Sequence, residues 1–276
     1  MSTVKVNGVQ IEYEEWGDGP QTVVMLHNAA FSRQGMEPLA ERLKDRYRIL
    51  LWDYRGMGGS EKPDVESHGM ETLYEDAVAI IRERTNEPVH LIGMSLGGCI
   101  GLRVAARQPQ LVRSLTVMST SADGAERHAQ GGKFFELVRE KGFSDPEVVE
   151  ISMAISFSEG TRNDPARAEE MEHWRDVLRN LDPRGIAIPH SLTTRLDVHY
   201  EIQHITAPTL VIAGADDPNH SPVEHEEIQR AIAGSRLVVI ENSGHTPVIE
   251  QPDAVAEAVR PFLEEVDASL SAAAAV

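Results

Sequence analysis

Several features that define other classes of protein are scarce in this sequence. Cys99 is the only cysteine among 276 residues, which excludes an intramolecular disulfide framework. No apolar run approaches the ~18 residues of a membrane-spanning helix, and Met1–Gln10 lacks the basic and apolar segments of a secretory signal peptide. No run of Lys and Arg occurs, and 26 basic against 44 acidic residues give a formal net charge of −18. A field of this sign repels nucleic acid and anionic membranes.

The rest of the composition is that of an ordinary globular protein, with 41% hydrophobic and 25% charged residues. A chain of this length buries enough apolar surface to fold without a metal or a disulfide. We therefore expect a globular, cytoplasmic protein that acts on a small-molecule substrate. We expect neither nucleic acid nor a membrane as a partner.

Short apolar runs alternate with amphipathic stretches along the chain. Val4–Val6 and Val9–Trp16 flank Asn7-Gly8, a turn pair typical of a β-hairpin. Further strand and helix patterns then alternate as far as a last helix over Asp253–Val266. This order predicts an α/β fold in which a mostly parallel, twisted sheet carries helices on both faces.

The alternation is interrupted in the middle of the chain, where the pattern is polar and predicts helices over Gly132–Lys141, Pro146–Ser156 and Pro165–Arg179. That stretch is too long for a structureless loop in a compact domain. We predict a helical cap over residues 121–199, inserted into a core made of residues 1–120 and 200–268. The Ala-rich residues 269–276 are expected to form a flexible tail.

The strongest local signal for chemistry is the segment Gly93-Met94-Ser95-Leu96-Gly97. It joins a predicted strand to a predicted helix that runs to Gln108. A serine on such a sharp turn is held at the C-terminal edge of the sheet. Ser95 is therefore the candidate nucleophile. The amide of Leu96, at the helix N-terminus, is a candidate oxyanion donor.

A serine hydroxyl needs a base that takes its proton. His245 is the candidate base because it follows a predicted strand and a glycine, a position that matches that of Ser95. An acid must then orient the imidazole. Asp216 and Asp217, after the preceding strand, are both candidates, and Asp123 is a third. A chain order of serine, acid and histidine is typical of the strand–turn–helix serine motif.

The second oxyanion donor is expected in the loop after the predicted strand Thr22–Leu26. This loop begins with His27 and Asn28, and we predict that the amide of Ala29 is the donor.

These segments together resemble the α/β-hydrolase superfamily over nearly the whole chain. The matching features are the His27 loop, Asp53–Ser60, Gly93–Gly97, Gly214–Asp217, and Gly244-His245 followed by Glu250-Gln251-Pro252. Cys99–Ser121 and the Asn28 loop most resemble 3-oxoadipate enol-lactonases and related small cofactor-free esterases. The resemblance implies that the acid is Asp217 rather than Asp216. It also implies cleavage of a small ester or lactone with no cofactor. The segment His225-Glu226-Glu227 resembles the start of a zinc-binding helix, but position 229 is Gln229, so the sequence predicts no metal site.

One position departs from a common pattern of the superfamily. Many members carry a His-Gly pair in the oxyanion loop, whereas this sequence has His27-Asn28. Asparagine adopts glycine-like backbone conformations less easily than glycine does. We therefore consider the hypothesis that the Asn28 side-chain amide contacts the substrate or the oxyanion.

Other residues are candidates for the substrate pocket. Those from the oxyanion loop and the predicted cap are His27, Asn28, Phe134, Phe157 and Trp174. Those that could bind a substrate carboxylate are Arg162, Arg167, Arg175 and Arg195. Two alternative functions remain open on the same scaffold: hydrolysis of a carbon–carbon bond in a vinylogous diketone, and ligand binding without catalysis. Cofactor-free peroxidase chemistry is an open side activity.

Overall fold

The structure, a computed structural model, describes residues 1–64, 68–182 and 195–274. Its strands are β1 (Ser2–Val6), β2 (Val9–Trp16), β3 (Thr22–Leu26), β4 (Arg48–Trp52), β5 (Val89–Met94), β6 (Val112–Met118), β7 (Thr209–Gly214) and β8 (Arg236–Ile240). They form an eight-stranded sheet in the order β1-β2-β4-β3-β5-β6-β7-β8. The pairings of β2 with β1 and β4 are antiparallel, and all the others are parallel.

Helices connect these strands. In the described residues they are α1 (Glu37–Leu43), α2 (Met70–Arg84), α3 (Leu96–Arg107), α4 (Ala129–Lys141), α5 (Pro146–Ser156), α6 (Glu159–Asn163), α7 (Ala168–Arg179), α8 (His199–Ile202), α9 (Pro222–Ala231), α10 (Pro247–Glu250) and α11 (Pro252–Ala274). None of them is both long and apolar enough to cross a membrane.

The predicted α/β fold is confirmed, including the opening hairpin, in which Val6 pairs with Val9. Strands β3 to β7 are buried on both faces, because successive side chains of a strand point to opposite sides of the sheet and nearly all of theirs are covered. In β3, Val24 and Leu26 pack into one apolar cluster with α2, α3 and α9. Val23 and Met25 pack into a second cluster with α1 and α11. Helices therefore cover both faces of the sheet.

The last helix is longer than the sequence pattern predicts. We expected it to end at Val266, and α11 instead continues to Ala274. Val259 and Leu263 are fully buried under the sheet, and the residues after them are rich in alanine, the best helix former. The described part of the expected tail is therefore helical.

The stretch that interrupts the alternation of strands and helices is itself helical, as its sequence pattern predicts. Helices α4 to α7 all lie within the predicted cap, and α5 has the predicted bounds Pro146–Ser156. The predicted helix from Gly132 begins earlier, at Ala129. The one predicted from Pro165 is split into a 3₁₀ turn, Pro165–Arg167, and α7. Residues 183–194 of the predicted cap lie outside the described residues.

Candidate active site

Ser95 occupies a strained turn between β5 and α3. Its φ of 55° and ψ of −114° lie outside the usual regions for a residue with a side chain, and such strain often marks functional sites. The turn is tight because α3 packs closely on β3: a Cβ at Gly97 would lie 2.1 Å from the Leu26 carbonyl oxygen. The Thr120 hydroxyl donates to the Ser95 carbonyl at 2.9 Å and ties the turn to the loop after β6. Ser95 is thereby fixed at the sheet edge.

The structure brings Ser95, His245 and Asp217 into one hydrogen-bonded array. Ser95 Oγ lies 2.8 Å from His245 Nε2. His245 Nδ1 lies 3.1 Å from Asp217 Oδ1 and 3.0 Å from Oδ2. The loops that carry the acid and the base touch, since the Asp216 amide donates to the Ser243 carbonyl at 2.9 Å. An imidazole placed in this way can accept the serine proton while the carboxylate fixes its tautomer.

The surroundings of Asp217 keep its carboxylate charged. Burial opposes ionisation, but attraction and hydrogen bonding from His245, with help from His220, lower the pKa of Asp217 to about 2. The amides of Asn219 and His220 donate to Oδ1 at 2.8 and 3.1 Å. Such an acceptor suits the orientation and stabilisation of an imidazolium.

The two other acid candidates, Asp216 and Asp123, have different surroundings. Asp216 is exposed, whereas Asp217 is buried beside the histidine. Asp123 is buried after β6 and lies 3.9 Å from His199 Nε2. The geometry therefore agrees with the choice of Asp217.

The loop after β3 is held by the Asn28 side chain. Asn28 Oδ1 accepts hydrogen bonds from the amides of Ala30 at 3.2 Å and Phe31 at 2.9 Å. Its carbonyl-like oxygen is thus used to shape the loop. Within the described residues, the amides of Ala29 and Leu96 donate no hydrogen bond. Both predicted oxyanion donors are therefore free to bind an acceptor.

The side chain of His27, a predicted substrate contact, is held by protein groups. The ring is fully buried and stacks on Tyr54 with centroids 3.8 Å apart. Nδ1 lies 2.5 Å from the Asn28 carbonyl, and Nε2 accepts from the Tyr54 amide at 3.2 Å. Burial lowers the pKa of His27 to about 4, against the attraction of Asp53. A neutral ring with both nitrogens engaged positions the loop and leaves no nitrogen for a ligand.

Phe157 and Trp174 anchor the cap helices on the core. Phe157 is fully buried and Trp174 is 6% exposed. Both rings pack on Phe31 of the oxyanion loop, with centroids 5.6 and 4.7 Å from it. They belong to an apolar cluster that α5 and α7 share with Phe31 and Ile249. Their observed contacts are thus with protein side chains, while Phe134 is half-buried on α4.

The four arginine candidates are all engaged with protein groups. Their acceptors are the Phe157 carbonyl for Arg162, Glu170 and two α10 carbonyls for Arg167, Glu150 for Arg175, and Cys99 Sγ with Ser121 Oγ for Arg195. A guanidinium has five N–H donors, and the contact of Arg162 with the Phe157 carbonyl uses only Nε.

A cavity of about 570 Å³ opens beside the oxyanion loop. Its lining includes Ser32 and Gln34 from that loop, Lys62, and His173 and Asp176 from α7. Neither Phe157 nor Trp174 lines it. Polar residues of α7 thus border this cavity, whose lining among the described residues includes neither Ser95 nor His245.

The described residues also contain one group of three side chains that could hold a metal ion. Asp123, His199 and Glu227 place their ligand atoms within 4.8 Å of one another. His199 Nδ1 contacts Asp197 at 3.0 Å.

Comparisons with known proteins agree with this fold. The model of the alpha/beta hydrolase family matches residues 23–258. A 3-oxoadipate enol-lactonase of Acinetobacter baylyi is 26% identical, over 95% of this chain and 96% of the relative. A pimeloyl-[acyl-carrier protein] methyl ester esterase of Neisseria meningitidis is also 26% identical, over 93% of this chain and 99% of the relative. The crystal structure of the Burkholderia xenovorans enol-lactonase superposes with a TM-score of 0.86 at 24% identity, covering 95% of this chain and 100% of that one.

The site and the fold thus define a hydrolase of the α/β class. The chain belongs to the alpha/beta hydrolase family, and the resemblance to enol-lactonases that the sequence motifs indicated is confirmed.

Some residues that shape the site escaped the sequence analysis. Phe31 lies two residues after Ala29 in the oxyanion loop, and the cap packs on it. Asp53 and Glu250 belong to the motifs of the family resemblance, which assign them no role. The signal that could have found them is a charged residue inside an otherwise apolar or glycine-rich segment, because a buried charge must have partners.

Proposed function

We propose that this chain hydrolyses a small-molecule ester or lactone through an acyl-enzyme intermediate on Ser95. The observation that carries the proposal is the array in which Ser95 Oγ lies 2.8 Å from His245 Nε2, with Asp217 behind the imidazole. A base within this distance can take the hydroxyl proton as the oxygen attacks.

In the first half-reaction, Ser95 Oγ attacks the carbonyl carbon and its proton passes to His245 Nε2. The tetrahedral intermediate then collapses, and the imidazolium gives that proton to the departing alkoxide. In the second half-reaction, water attacks the acyl carbon and gives a proton to His245 Nε2. The bond between that carbon and Ser95 Oγ then breaks, the imidazolium returns the proton to Oγ, and the acid is released. Asp217 holds the imidazole and stabilises its charged form throughout.

The developing oxyanion needs donors that are free before the substrate binds. The amides of Ala29 and Leu96 meet this condition within the described residues. Loss of one oxyanion donor typically costs about 2.7–4 kcal/mol of transition-state stabilisation. We assign the oxyanion hole to these two amides.

The substrate class rests on the relatives. One is a lactonase and another a methyl ester esterase, and each is matched over more than nine-tenths of its length. Both reactions transfer an acyl group from oxygen, which the proposed serine mechanism performs.

The test is intact mass spectrometry after exposure to a fluorophosphonate. Wild-type protein should gain one adduct, and Ser95→Ala and His245→Ala should gain none. His204→Ala is the matched control, because His204 is exposed after α8 and makes no contact with the array. Aryl esters, lactones and a vinylogous diketone then form the substrate panel. An unlabelled, folded wild type, or turnover by Ser95→Ala, would reject the mechanism, and cleavage of the diketone alone would reject the substrate class.

A further inference from the structure

The side chain of Glu250 sits where the loop carrying His245 meets the cap. Glu250 is 3% exposed. Oε1 accepts the Gly244 amide at 2.8 Å and the Thr246 amide at 3.4 Å, and Oε2 accepts the Ser158 amide at 2.9 Å. No Lys or Arg of the described residues forms an ion pair with it. Its carboxyl is thus a buried acceptor for backbone amides.

Two of these amides flank the proposed base. Gly244 and Thr246 are the residues immediately before and after His245, so one oxygen fixes the main chain on both sides of the imidazole. The imidazole must stay within about 2.6–3.2 Å of the serine hydroxyl to accept its proton. A shift of the loop by a fraction of an ångström would therefore matter for catalysis.

The third amide belongs to the cap. Ser158 lies between α5 and α6 and directly follows Phe157, which packs on the oxyanion loop. The approach is very close, since a Cβ at Gly244 would lie 2.5 Å from the Ser158 nitrogen. Position 244 thus has no room for a side chain while the cap is in place.

Two further contacts join the same segments. The Thr246 hydroxyl donates to the Ser156 carbonyl at 2.9 Å. Arg167 donates to the carbonyls of Glu250 at 3.0 Å and Ile249 at 3.2 Å. Several hydrogen bonds thus join the cap to the loop that carries His245, and the Glu250 carboxyl binds both segments.

We propose that Glu250 is a positioning residue that couples the cap to His245, so that the imidazole is aligned with Ser95 only while Ser158 is seated on the carboxyl. This inference rests on the proposed function, because it gives the catalytic base its alignment. A buried glutamate that served stability alone would leave the turnover of the folded protein unchanged.

The first variant is Glu250→Gln, which keeps the shape but turns an NH₂ group toward at least one amide donor. We expect kcat to fall on the order of 10²-fold, as for a misplaced catalytic group, with KM nearly unchanged. Glu201→Gln is the matched control, because Glu201 pairs with Arg107 at the C-terminal end of α3, the opposite end from Ser95. It should keep the wild-type kcat.

A second pair of variants isolates the contact with the cap. Ser158→Pro replaces the amide proton by the ring Cδ, which cannot occupy the 2.9 Å between this nitrogen and Glu250 Oε2, so the contact is broken. The φ of −58° at Ser158 and the extended Phe157 before it otherwise suit proline. Ser158→Ala removes the side-chain cap to Thr161 but keeps the amide. We expect Ser158→Pro to lose kcat as Glu250→Gln does, and Ser158→Ala to retain it.

A readout that does not need turnover completes the test. The Nδ1–H that His245 donates to Asp217 should give a downfield proton resonance that is absent from His245→Ala. In folded Glu250→Gln and Ser158→Pro this resonance should shift or broaden. The coupling would be overturned if Glu250→Gln kept both the wild-type resonance and the wild-type kcat. It would also be overturned if Glu250→Gln lowered kcat and Ser158→Pro did not. An inactive wild type would instead reject the proposed function, and the resonance would still decide the role of Glu250.

Discussion

Asp53 binds both the main chain and the side chain of Arg33. Its Oδ1 accepts the Arg33 amide at 2.9 Å, and its Oδ2 contacts the guanidinium. The Gly59 amide also donates to Oδ2, at 3.1 Å. Because Arg33 lies four residues after Ala29, this carboxylate joins the oxyanion loop to the turn after β4.

Replacement of Asp53 by Asn should therefore affect both stability and activity. Arg33 would keep Glu14 and Glu12 as partners but lose its fully buried one. Removal of one partner of a buried ion pair typically costs about 3–5 kcal/mol, so urea unfolding should show a loss approaching this size. The fluorophosphonate labelling rate should fall as well.

The exposed pair Arg236–Glu265 provides the control, and Glu265→Gln should leave both measurements near wild type. If Asp53→Asn were no less stable than Glu265→Gln, the Arg33 contact would not be what fixes the loop.

Asn28→Ala should slow acylation because the loop loses both bonds to Oδ1. Asn28→Asp keeps an oxygen at this position and should restore much of the rate. The measurement is the pre-steady-state release of an aryl alcohol from an activated ester. If the amide nitrogen of Asn28 contacted the substrate instead, Asn28→Asp would fail as Asn28→Ala does. An unchanged rate in Asn28→Ala would remove any role for the side chain.

The array of Ser95, Asp217 and His245 could be predicted because each residue follows a strand. The C-terminal ends of parallel strands meet at one edge of the sheet, so sequence order and strand pattern suffice to place them together. The choice between Asp216 and Asp217 depended on the resemblance, since two adjacent acids in a turn have the same pattern.

Other parts of the site depend on contacts that no local pattern contains. Ser158 and Glu250 are 92 residues apart in the chain. Phe157 and Trp174 lie in amphipathic stretches whose apolar face could equally have lined a pocket. The length of α11 was underestimated because an alanine-rich end resembles a frayed tail in composition. Tertiary packing decided each of these points.

The neutral ring of His27 makes a prediction about stability between pH 4 and 6.5. Its pKa is about 4 in the folded protein against an ordinary value of 6.5, so the unfolded chain binds more protons in this window. The contribution of the neutral His27 ring to the free energy of unfolding is complete above pH 6.5 and is lost as the pH falls to about 4. It amounts to about 3 kcal/mol. The free energy of unfolding, measured in urea, should therefore vary less with pH in His27→Gln than in wild type.

The slope of unfolding free energy against pH should be smaller in His27→Gln than in wild type but should not vanish, because burial also lowers the pKa of His90 and His225. His204→Gln, at an exposed position, should keep the wild-type slope. Equal slopes in wild type and His27→Gln would mean that the His27 ring is charged in the folded protein.

Asp217 makes a separate prediction at lower pH. Its pKa falls from 3.8 to about 2 on folding because the attraction of His245 outweighs burial. The unfolded chain thus takes up a proton first as the pH falls. The stabilisation is complete well above pH 3.8 and is lost between about pH 4 and 2, amounting to about 2 kcal/mol. The free energy of unfolding in urea should change less with pH across this window in Asp217→Asn than in wild type. Asp216→Asn, at the exposed neighbour, should keep the pH dependence of wild type. The opposite result would make Asp216 the partner of His245.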